Sequence, residues 1–355
     1  MSKLEQMAYK MQPAGHDAPE PKRKYEKPQN KLKEAYEKWL KLNDYSNYDE
    51  VSDNVTPCYE SALQLTRKLE FSLADVHGLL LEYMDNLKPH LAGLFASALY
   101  RRVPEKEITF DLPIEQRLDF IGFKLPKDKT LISKIPTRQD LGKFAGGTIV
   151  NANDTADGFG NQSTGIIINY GETGNQPCTG AKGAIINYGN CGEHFAGVAR
   201  FVVINAGVTG GNFADGAQGI AINLGTADEC MGIELGYHGM LINYGKAGRG
   251  LGENALGLIL CFKNPKSYDE DTTQCILKKP RQCAKYVELR KYLDNLTIKL
   301  EKGRKDYRTA IKLAQQLDRK TIEDKLPSAL IEQHQEIERD DSEPDFEPME
   351  EDDDS

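Results

Sequence analysis

The N-terminal third of the chain alternates apolar and polar positions with the period of a helix. Apolar residues recur every three or four positions from residue 30 onward, first at Leu32, Ala35, Tyr36, Trp39 and Leu40, which is the spacing of one helix face. The stretches 63–71 and 73–87 continue this pattern, and Pro89 ends one helix or begins the next. Residues 104–140 change to short apolar runs separated by Pro and Lys, which favours short strands. We therefore expect a helical N-terminal region over 28–140 that includes short strands.

Residues 147–262 contain an internal repeat. Each unit is an apolar triplet followed by one further residue, and these residues are Asn151, Asn169, Asn187, Asn205, Asn223, Asn243 and Cys261. Their spacings are 18, 18, 18, 18, 20 and 18, and a Gly precedes each triplet except at Phe201. One such unit cannot bury its apolar side alone, whereas stacked units share one core. The repeat predicts a parallel β-helix over 141–265, with about seven rungs of ~18 residues and Gly at tight or left-handed corners. The fold class is thus a mainly β solenoid flanked by N- and C-terminal α-helices.

The repeated Asn and two apolar columns predict how the rungs pack. Stacked Asn side chains can hydrogen-bond to the residues above and below, which forms an asparagine ladder, and Asn also tolerates a left-handed corner. Successive residues of a strand face opposite sides, so the column that begins with Ile149 and the column that begins with Val150 point in opposite directions. One column fills the interior, and the other needs a cover because it would otherwise be a large exposed apolar patch.

Residues 279–330 supply an apolar helical face for such a cover. Apolar positions alternate at spacings of three and four from Tyr286 to Leu317, with Gly303 in the middle, which is a heptad pattern typical of coiled coils. A helical hairpin, a coiled coil with another subunit and a long helix on the β-helix face all fit this pattern. Residues 336–355 hold twelve acidic residues and one basic residue. Composition predicts that this acidic tail and residues 1–27 are disordered.

Charge and composition narrow the class of protein. The chain has 355 residues and a net charge of −9, and since residues 336–355 contribute −11, the rest carries about +2. Residues 284–325 hold twelve Lys or Arg against seven Asp or Glu, which on a helix is typical of a solvated face, so we expect no nucleic-acid partner. No apolar run reaches the ~20 residues that span a membrane, and no apolar signal segment is visible. The seven Cys form no CxxC pair, which favours thiols in a reducing compartment. By elimination we expect a cytoplasmic protein without a membrane partner.

Four residues form the candidate metal site of this sequence. Cys191 and His194 have a local spacing that suits zinc, Cys230 follows about two rungs later, and His238 completes a set of four. The alternative is that the Cys residues are buried apolar fillers and that the His residues face solvent. We favour this alternative, and we therefore expect no metal and no cofactor.

Two carboxylates form the candidate catalytic pair. Glu193 and Glu229 occupy equivalent positions two rungs apart, about 9.6 Å at the spacing of stacked strands. This separation lies near the upper range for an inverting glycosidase. The alternative is a solvated polar face without a catalytic residue, which we favour because no aromatic platform for a sugar follows the same column.

The Gly-rich turns resemble those of a known family of β-helices. Gly245, Gly248 and Gly252 form a GxxGxxxG pattern, and the GxxG half recurs at Gly171–Gly174, Gly189–Gly192 and Gly207–Gly210. The pattern is similar to the GXGXG domain, which occurs at the C-terminus of glutamate synthase and in one of the polypeptides of formylmethanofuran dehydrogenase, over about 141–262. The resemblance implies a right-handed parallel β-helix that acts as a rigid spacer among catalytic domains and is not itself catalytic.

These observations lead to three hypotheses of function. The first is a non-enzymatic scaffold or assembly protein that binds protein partners or forms a homo-oligomer. The alternative is an accessory β-helix subunit of a larger enzyme complex, which the family resemblance implies. The second alternative is a carbohydrate-active enzyme that uses the carboxylates of Glu193 and Glu229.

Overall fold

A computed structural model describes residues 30–45, 48–83, 88–268 and 275–340. The chain forms a parallel β-solenoid of about eight turns with helices at both ends, so the predicted fold class is confirmed. Each full turn has three sides. One side is a strand of a ten-stranded parallel sheet (sheet A), the second is a short strand of a five-stranded parallel sheet (sheet B), and the third is a turn without regular strands.

Sheet A extends beyond the predicted repeat on both sides. Its strands, in spatial order, are β1 (Glu107–Phe110), β2 (Thr130–Ser133), β3 (Thr148–Asn151), β4 (Ile167–Asn169), β6 (Ile185–Asn187), β8 (Val202–Asn205), β10 (Ile220–Asn223), β12 (Met240–Asn243), β14 (Leu258–Cys261) and β15 (Ile276–Lys278). The predicted range 141–265 is therefore too short. Both β1 and β2 lie within 104–140, where short strands were expected. The repeat pattern did not include β2, because Lys129 and Ser133 stand where later turns carry Gly and Asn.

Sheet B consists of strands of two residues each. They are β5 (Glu172–Thr173), β7 (Asn190–Cys191), β9 (Val208–Thr209), β11 (Thr226–Ala227) and β13 (Lys246–Ala247). The first residue of each strand points outward, and the second is buried in the solenoid. Both sheets stack in register, so each residue lies beside its counterpart in the next turn.

The two apolar columns of sheet A belong to different hydrophobic clusters, as the alternation of a strand requires. The column that begins with Ile149 fills the solenoid interior and joins the cluster of the N-terminal helices. The column that begins with Val150 lies on the outside and is buried by the C-terminal helices. The predicted cover therefore exists, and it comes from the same chain.

The asparagine ladder runs through the interior corner beside sheet A. Asn151 donates from Nδ2 to Oδ1 of Asn169 at 2.8 Å, and the pattern repeats through Asn187, Asn205, Asn223 and Asn243 at 2.9–3.0 Å. The side chains are almost completely buried, with at most 2% exposure. The predicted asparagine ladder is therefore confirmed. None of these Asn residues has a positive φ, so they are extended strand residues.

The Gly residues before the triplets are required by close packing and not by a left-handed backbone. At Gly183, a Cβ atom would lie 1.7 Å from the carbonyl oxygen of Gly165 in the turn below, and at Gly165 it would lie 1.9 Å from that of Gly147. Neither residue has a positive φ. Of the two roles expected of Gly, these residues have the tight one, since the corners of successive turns stack backbone on backbone. The left-handed role belongs to other Gly residues, such as Gly158 and Gly160.

Five C-terminal helices cover sheet A or continue from this cover. They are α6 (Pro280–Cys283), α7 (Val287–Lys305), α8 (Tyr307–Gln315), α9 (Arg319–Glu323) and α10 (Ser328–Asp340). Helix α7 runs from the last turns back toward the first, because Tyr244 donates to Asp294 at 2.5 Å and Tyr170 donates to the carbonyl of Gly303 at 2.6 Å. Arg308, at the start of α8, lies 3.4 Å from Glu107 of β1. The chain then returns along the solenoid, since Arg319 donates to the carbonyl of His238 at 3.0 Å.

The heptad pattern from Tyr286 to Leu317 is divided between the two helices of a hairpin, α7 and α8. Asp306 ends α7 and caps α8, since its carboxylate accepts the backbone N–H groups of Arg308 and Thr309 at 3.2 and 3.0 Å. Gly303 is a contact point, because a Cβ there would lie 2.3 Å from the hydroxyl of Tyr188. Of the three arrangements that fit the sequence, the chain adopts the hairpin on the β-helix face.

One arginine of the hairpin contacts two successive turns of the solenoid. Arg304 donates to the carbonyl oxygens of Tyr188 and Ala206 at 3.0 and 2.7 Å, and its guanidinium lies 5.4 Å from the ring centre of Tyr188. Tyr188 in turn stacks on Tyr170 of the preceding turn. One side chain thus contacts two successive turns.

The predicted acidic tail begins too early. Residues 336–340 belong to helix α10, so disorder from residue 336 onward is wrong. The amphipathic pattern that includes Leu330 and Ile331 continues the helix into the acidic sequence. Residues 341–355, and the predicted disordered segment 1–27, lie outside the described residues.

The N-terminal helices pack on the first two turns of the solenoid, on the side that has no regular strands. They are α1 (Asn30–Leu42), α2 (Tyr48–Asp53), α3 (Val55–Thr66), α4 (Leu73–Glu82) and α5 (Pro89–Tyr100). Of the two roles considered for Pro89, it has the second, the start of a helix. Ser97 of α5 accepts the backbone N–H of Gly122 at 2.8 Å. Tyr48 of α2 stacks on Phe120 with ring centres 5.3 Å apart.

Candidate interaction face

One long side of the solenoid remains accessible. The outward side chains of sheet B and of the turns that follow it are exposed or half-exposed over residues 172–176, 190–198, 208–216 and 226–234, and we call this surface the open face. It holds two of the five large hydrophobic residues that are exposed among the described residues, Val198 and Val208, at 44% and 47%. Helices bury the outside of sheet A, so the open face is the regular surface that the solenoid presents to solvent.

The turns of the open face follow an unusual backbone rule. In each of eight turns, three alternate residues have positive φ, and fifteen of these 24 residues are not Gly. In one turn they are His194, Ala196 and Val198, with φ of 57°, 60° and 49°. A left-handed residue other than Gly costs roughly 1–2 kcal/mol, so the surrounding structure must offset this strain.

Hydrogen bonds between turns offset the strain. The N–H groups of His194 and Val198 donate to the next turn, to the carbonyls of Gly211 and Asp215 at 3.0 and 2.7 Å, whereas the N–H of Ala196 donates to the previous turn at 2.9 Å. The alternation of left-handed residues therefore directs backbone donors both up and down the solenoid. The open face is consequently held by backbone bonds along its whole length.

A polar cluster around His194 is the best-defined side-chain arrangement of the open face. Its Nδ1 lies 3.3 Å from a carboxylate oxygen of Asp215, and its Nε2 lies 3.2 Å from Nδ2 of Asn212. An amide nitrogen only donates, so this geometry suits the imidazole tautomer in which Nε2 accepts from Asn212 and Nδ1 donates to Asp215. Our sequence reasoning missed both partners, although the 18-residue spacing from His194 to Asn212 is a signal that could have found one of them.

The candidate metal residues are not brought together. Cys191 faces the interior of sheet B and is 7% exposed, and burial raises the pKa of its thiol to about 12. His194 faces outward from the next segment, and Cys230 lies two turns further along. His238 is at another corner, where its carbonyl accepts from Arg319 at 3.0 Å. Within the described residues, no group of three His, Cys, Asp or Glu side chains is arranged to hold a metal ion.

The candidate carboxylates lie on a flat surface. Glu193 and Glu229 are both exposed and occupy equivalent positions two turns apart, with Gly211 between them. The backbone N–H of Glu193 donates to Asn175 at 3.1 Å, which fixes the backbone and leaves the carboxylate in solvent. Glycoside hydrolysis needs an acid whose surroundings keep it protonated, and an open surface does not provide this.

Two clefts in the described part of the chain lie away from these carboxylates. The first is in the C-terminal hairpin and is lined by Tyr292, Asn295, Leu296, Lys299, Leu313, Gln316, Leu317 and Thr321. The second is a shallow depression between N-terminal helices, lined by Glu60, Leu63, Gln64, Arg67, Arg101 and Arg102. Neither cleft contains a residue that the sequence singled out for chemistry.

Charge is distributed unequally between the two sides of the solenoid. Residues 152–245, whose charged side chains lie outside sheet A, hold eight acidic and two basic residues. The covering helices over 284–325 hold twelve basic and seven acidic residues. The open face is therefore acidic and the helical cover is basic, which makes the folded molecule electrostatically two-sided.

Comparisons with family models, with curated proteins and with solved structures find no match to this chain. Among the described residues, no helix has the length and apolarity that crossing a membrane requires. The description of the open face therefore rests on its own backbone geometry and acidic side chains.

Proposed function

We propose that the protein is a non-enzymatic scaffold that binds protein partners through the open face. The observation that carries this proposal is the geometry of that face, a regular surface held by backbone hydrogen bonds in every turn. A surface that is rigid before binding loses little conformational entropy when a partner docks. The acidic charge and the exposed Val198 and Val208 favour a partner with basic and aliphatic side chains.

An accessory role in an enzyme complex is the second proposal. It is favoured by the turn sequences Gly158-Phe-Gly160 and Gly250-Leu-Gly252, in which alternate left-handed residues are Gly, as the resemblance to GXGXG domains implies. In such a complex the solenoid would be a spacer between catalytic subunits. The identity of the bound subunits distinguishes this role from that of a general scaffold. For either role we propose a cytoplasmic location, supported by seven Cys residues without a disulfide.

Affinity purification from the native host tests the proposal with matched variants. The open-face variant is Glu193→Lys with Glu229→Lys, and the control is Glu34→Lys with Glu288→Lys on the outer surfaces of α1 and α7. All four residues are exposed, so both variants change charge by the same amount without disturbing a core. We expect the control to recover the same partner as the wild type, and the open-face variant to recover at least tenfold less. Equal recovery by both variants would refute the use of this face.

A further inference from the structure

The cleft of the C-terminal hairpin is built like a receptor for one large apolar side chain. Its volume is about 210 Å³, which is enough for one aromatic ring. Leu296 of α7, Leu313 of α8 and Leu317 form its buried floor, each at most 6% exposed. An aromatic side chain that enters it would contact apolar surface on both helices.

Three exposed lysines surround this cleft. Lys299 lines it directly. Lys312 lies one helical turn before Gln316, which also lines the cleft, and Lys320 adjoins Thr321 at its other end. Among the described residues, the salt bridges of α7, α8 and α9 use Lys291, Arg304, Arg308 and Arg319 and none of these three lysines. Asp318 also lies at this rim, close enough to act electrostatically on Tyr292 and Lys320. The rim thus carries these three lysines and one carboxylate around the leucine floor.

The end of the same chain has the complementary composition. Residues 341–355 hold nine acidic residues and no basic residue, and Phe346 is their one aromatic residue. Carboxylates on both sides of Phe346 match lysines on both sides of the cleft. Opposite charges of this kind attract over a distance of about 10 Å at moderate ionic strength.

The tail follows the cleft closely in the chain. Thr321 lines the cleft, and helix α10 begins seven residues later, at Ser328. Thirteen helical residues carry the chain roughly 20 Å away from that point. The six residues from Asp340 to Phe346 span up to about 20 Å when extended, so Phe346 can return to the level of the helix start.

We propose that the acidic tail 341–355 docks on the hairpin of its own chain, with Phe346 in the cleft and the flanking carboxylates on Lys299, Lys312 and Lys320. This contact is independent of the open face. In this arrangement, the basic C-terminal helices bind the acidic end of their own chain.

Carbodiimide cross-linking of the full-length protein, followed by mass spectrometry, tests this contact. The reagent joins carboxylates to amines that are already adjacent. The sample is an equal mixture of ¹⁴N- and ¹⁵N-labelled protein, so that links within one chain differ in mass from links between chains. Lys182 and Lys246, which are exposed on other sides of the solenoid, serve as reference lysines. The variant Phe346→Ala removes the side chain that should fill the cleft. Met349→Ala removes another large apolar side chain of the tail and is the control.

We expect tail peptides to link to the three cleft lysines at least fivefold more than to Lys182 and Lys246, within one isotopic species, and to lose most of these links in 0.5 M salt. Phe346→Ala should reduce them at least threefold, and Met349→Ala should have a smaller effect. Links spread evenly over exposed lysines would overturn the proposal. Links between ¹⁴N- and ¹⁵N-labelled chains would overturn it too, by showing that a second copy occupies the cleft. If Phe346→Ala forms as many of these links as the wild type, Phe346 does not bind in the cleft.

Discussion

The asparagine ladder makes a quantitative prediction for the substitution Asn205→Asp. Asn205 is 0% exposed, and its Nδ2 donates to Oδ1 of Asn223 and to the carbonyl of Thr226, both at 3.0 Å. The substitution replaces this donor by an oxygen that faces two acceptors. Its other oxygen keeps the bonds from Asn187 and Gly207, so the loss is confined to one side of the ladder.

The magnitude follows from the lost donors and the buried charge. Two buried acceptors without a donor cost about 1–3 kcal/mol, and a buried charge without a compensating partner brings the total to about 3–5 kcal/mol at pH 7. Burial raises the pKa of the introduced carboxyl, because it penalises the charged form. Stability is therefore lost as pH rises, and at pH 4 the protonated carboxyl can donate to one acceptor, which reduces the cost to about 1–2 kcal/mol.

Urea unfolding at pH 7 and pH 4 measures both values. Asn264→Asp is the control, since Asn264 is exposed after β14 and its change should stay within about 0.5 kcal/mol. If Asn205→Asp unfolds at the same urea concentration as the control at pH 7, the ladder does not contribute to stability, and our reasoning about it is wrong.

Two further predictions concern the junction with the N-terminal helices and the stacked corners. Asp119 is 0% exposed, and burial raises its pKa to about 6. Its charged form therefore destabilises the fold by up to about 3 kcal/mol above pH 6, and this penalty disappears near pH 4. We expect Asp119→Asn to be more stable than the wild type at pH 7 but not at pH 4, and a difference that stays constant in urea titrations at pH 4–7 would contradict this. Gly183→Ala would place a Cβ 1.7 Å from the carbonyl of Gly165, whereas the nearest atoms to a Cβ at Gly197 are 3.7 Å away. In thermal unfolding, the free energy of unfolding should fall by more than about 3 kcal/mol for Gly183→Ala and by less than about 1 kcal/mol for Gly197→Ala. Equal decreases would show that the corners can separate.

The open face shows which part of the candidate site could be predicted. Glu193, His194, Glu229 and Cys230 were identified from their residue types, and all four lie on the outer side of the turns. The cluster of His194 with Asn212 and Asp215 was not predicted, because a hydrogen bond depends on side-chain direction, which a repeat length does not specify. The left-handed residues escaped prediction for a related reason. Many of them are not Gly, and bonds between turns stabilise a conformation that their own preferences disfavour.

What the sequence determined by itself was the repeat, its length and the need for a cover. An 18-residue period with an apolar triplet and Asn admits stacked rungs, and period-2 alternation divides the triplets into two opposed columns. Only the tertiary structure decided that the Ile149 column faces inward, that the hairpin covers the Val150 column within the same chain, and that sheet A begins at β1 and ends at β15. The physical reason is that periodicity is a local property of the backbone. The partner of an apolar face is chosen by contacts between segments far apart in the chain, such as Arg304 with Tyr188, and these depend on the shape of the whole fold.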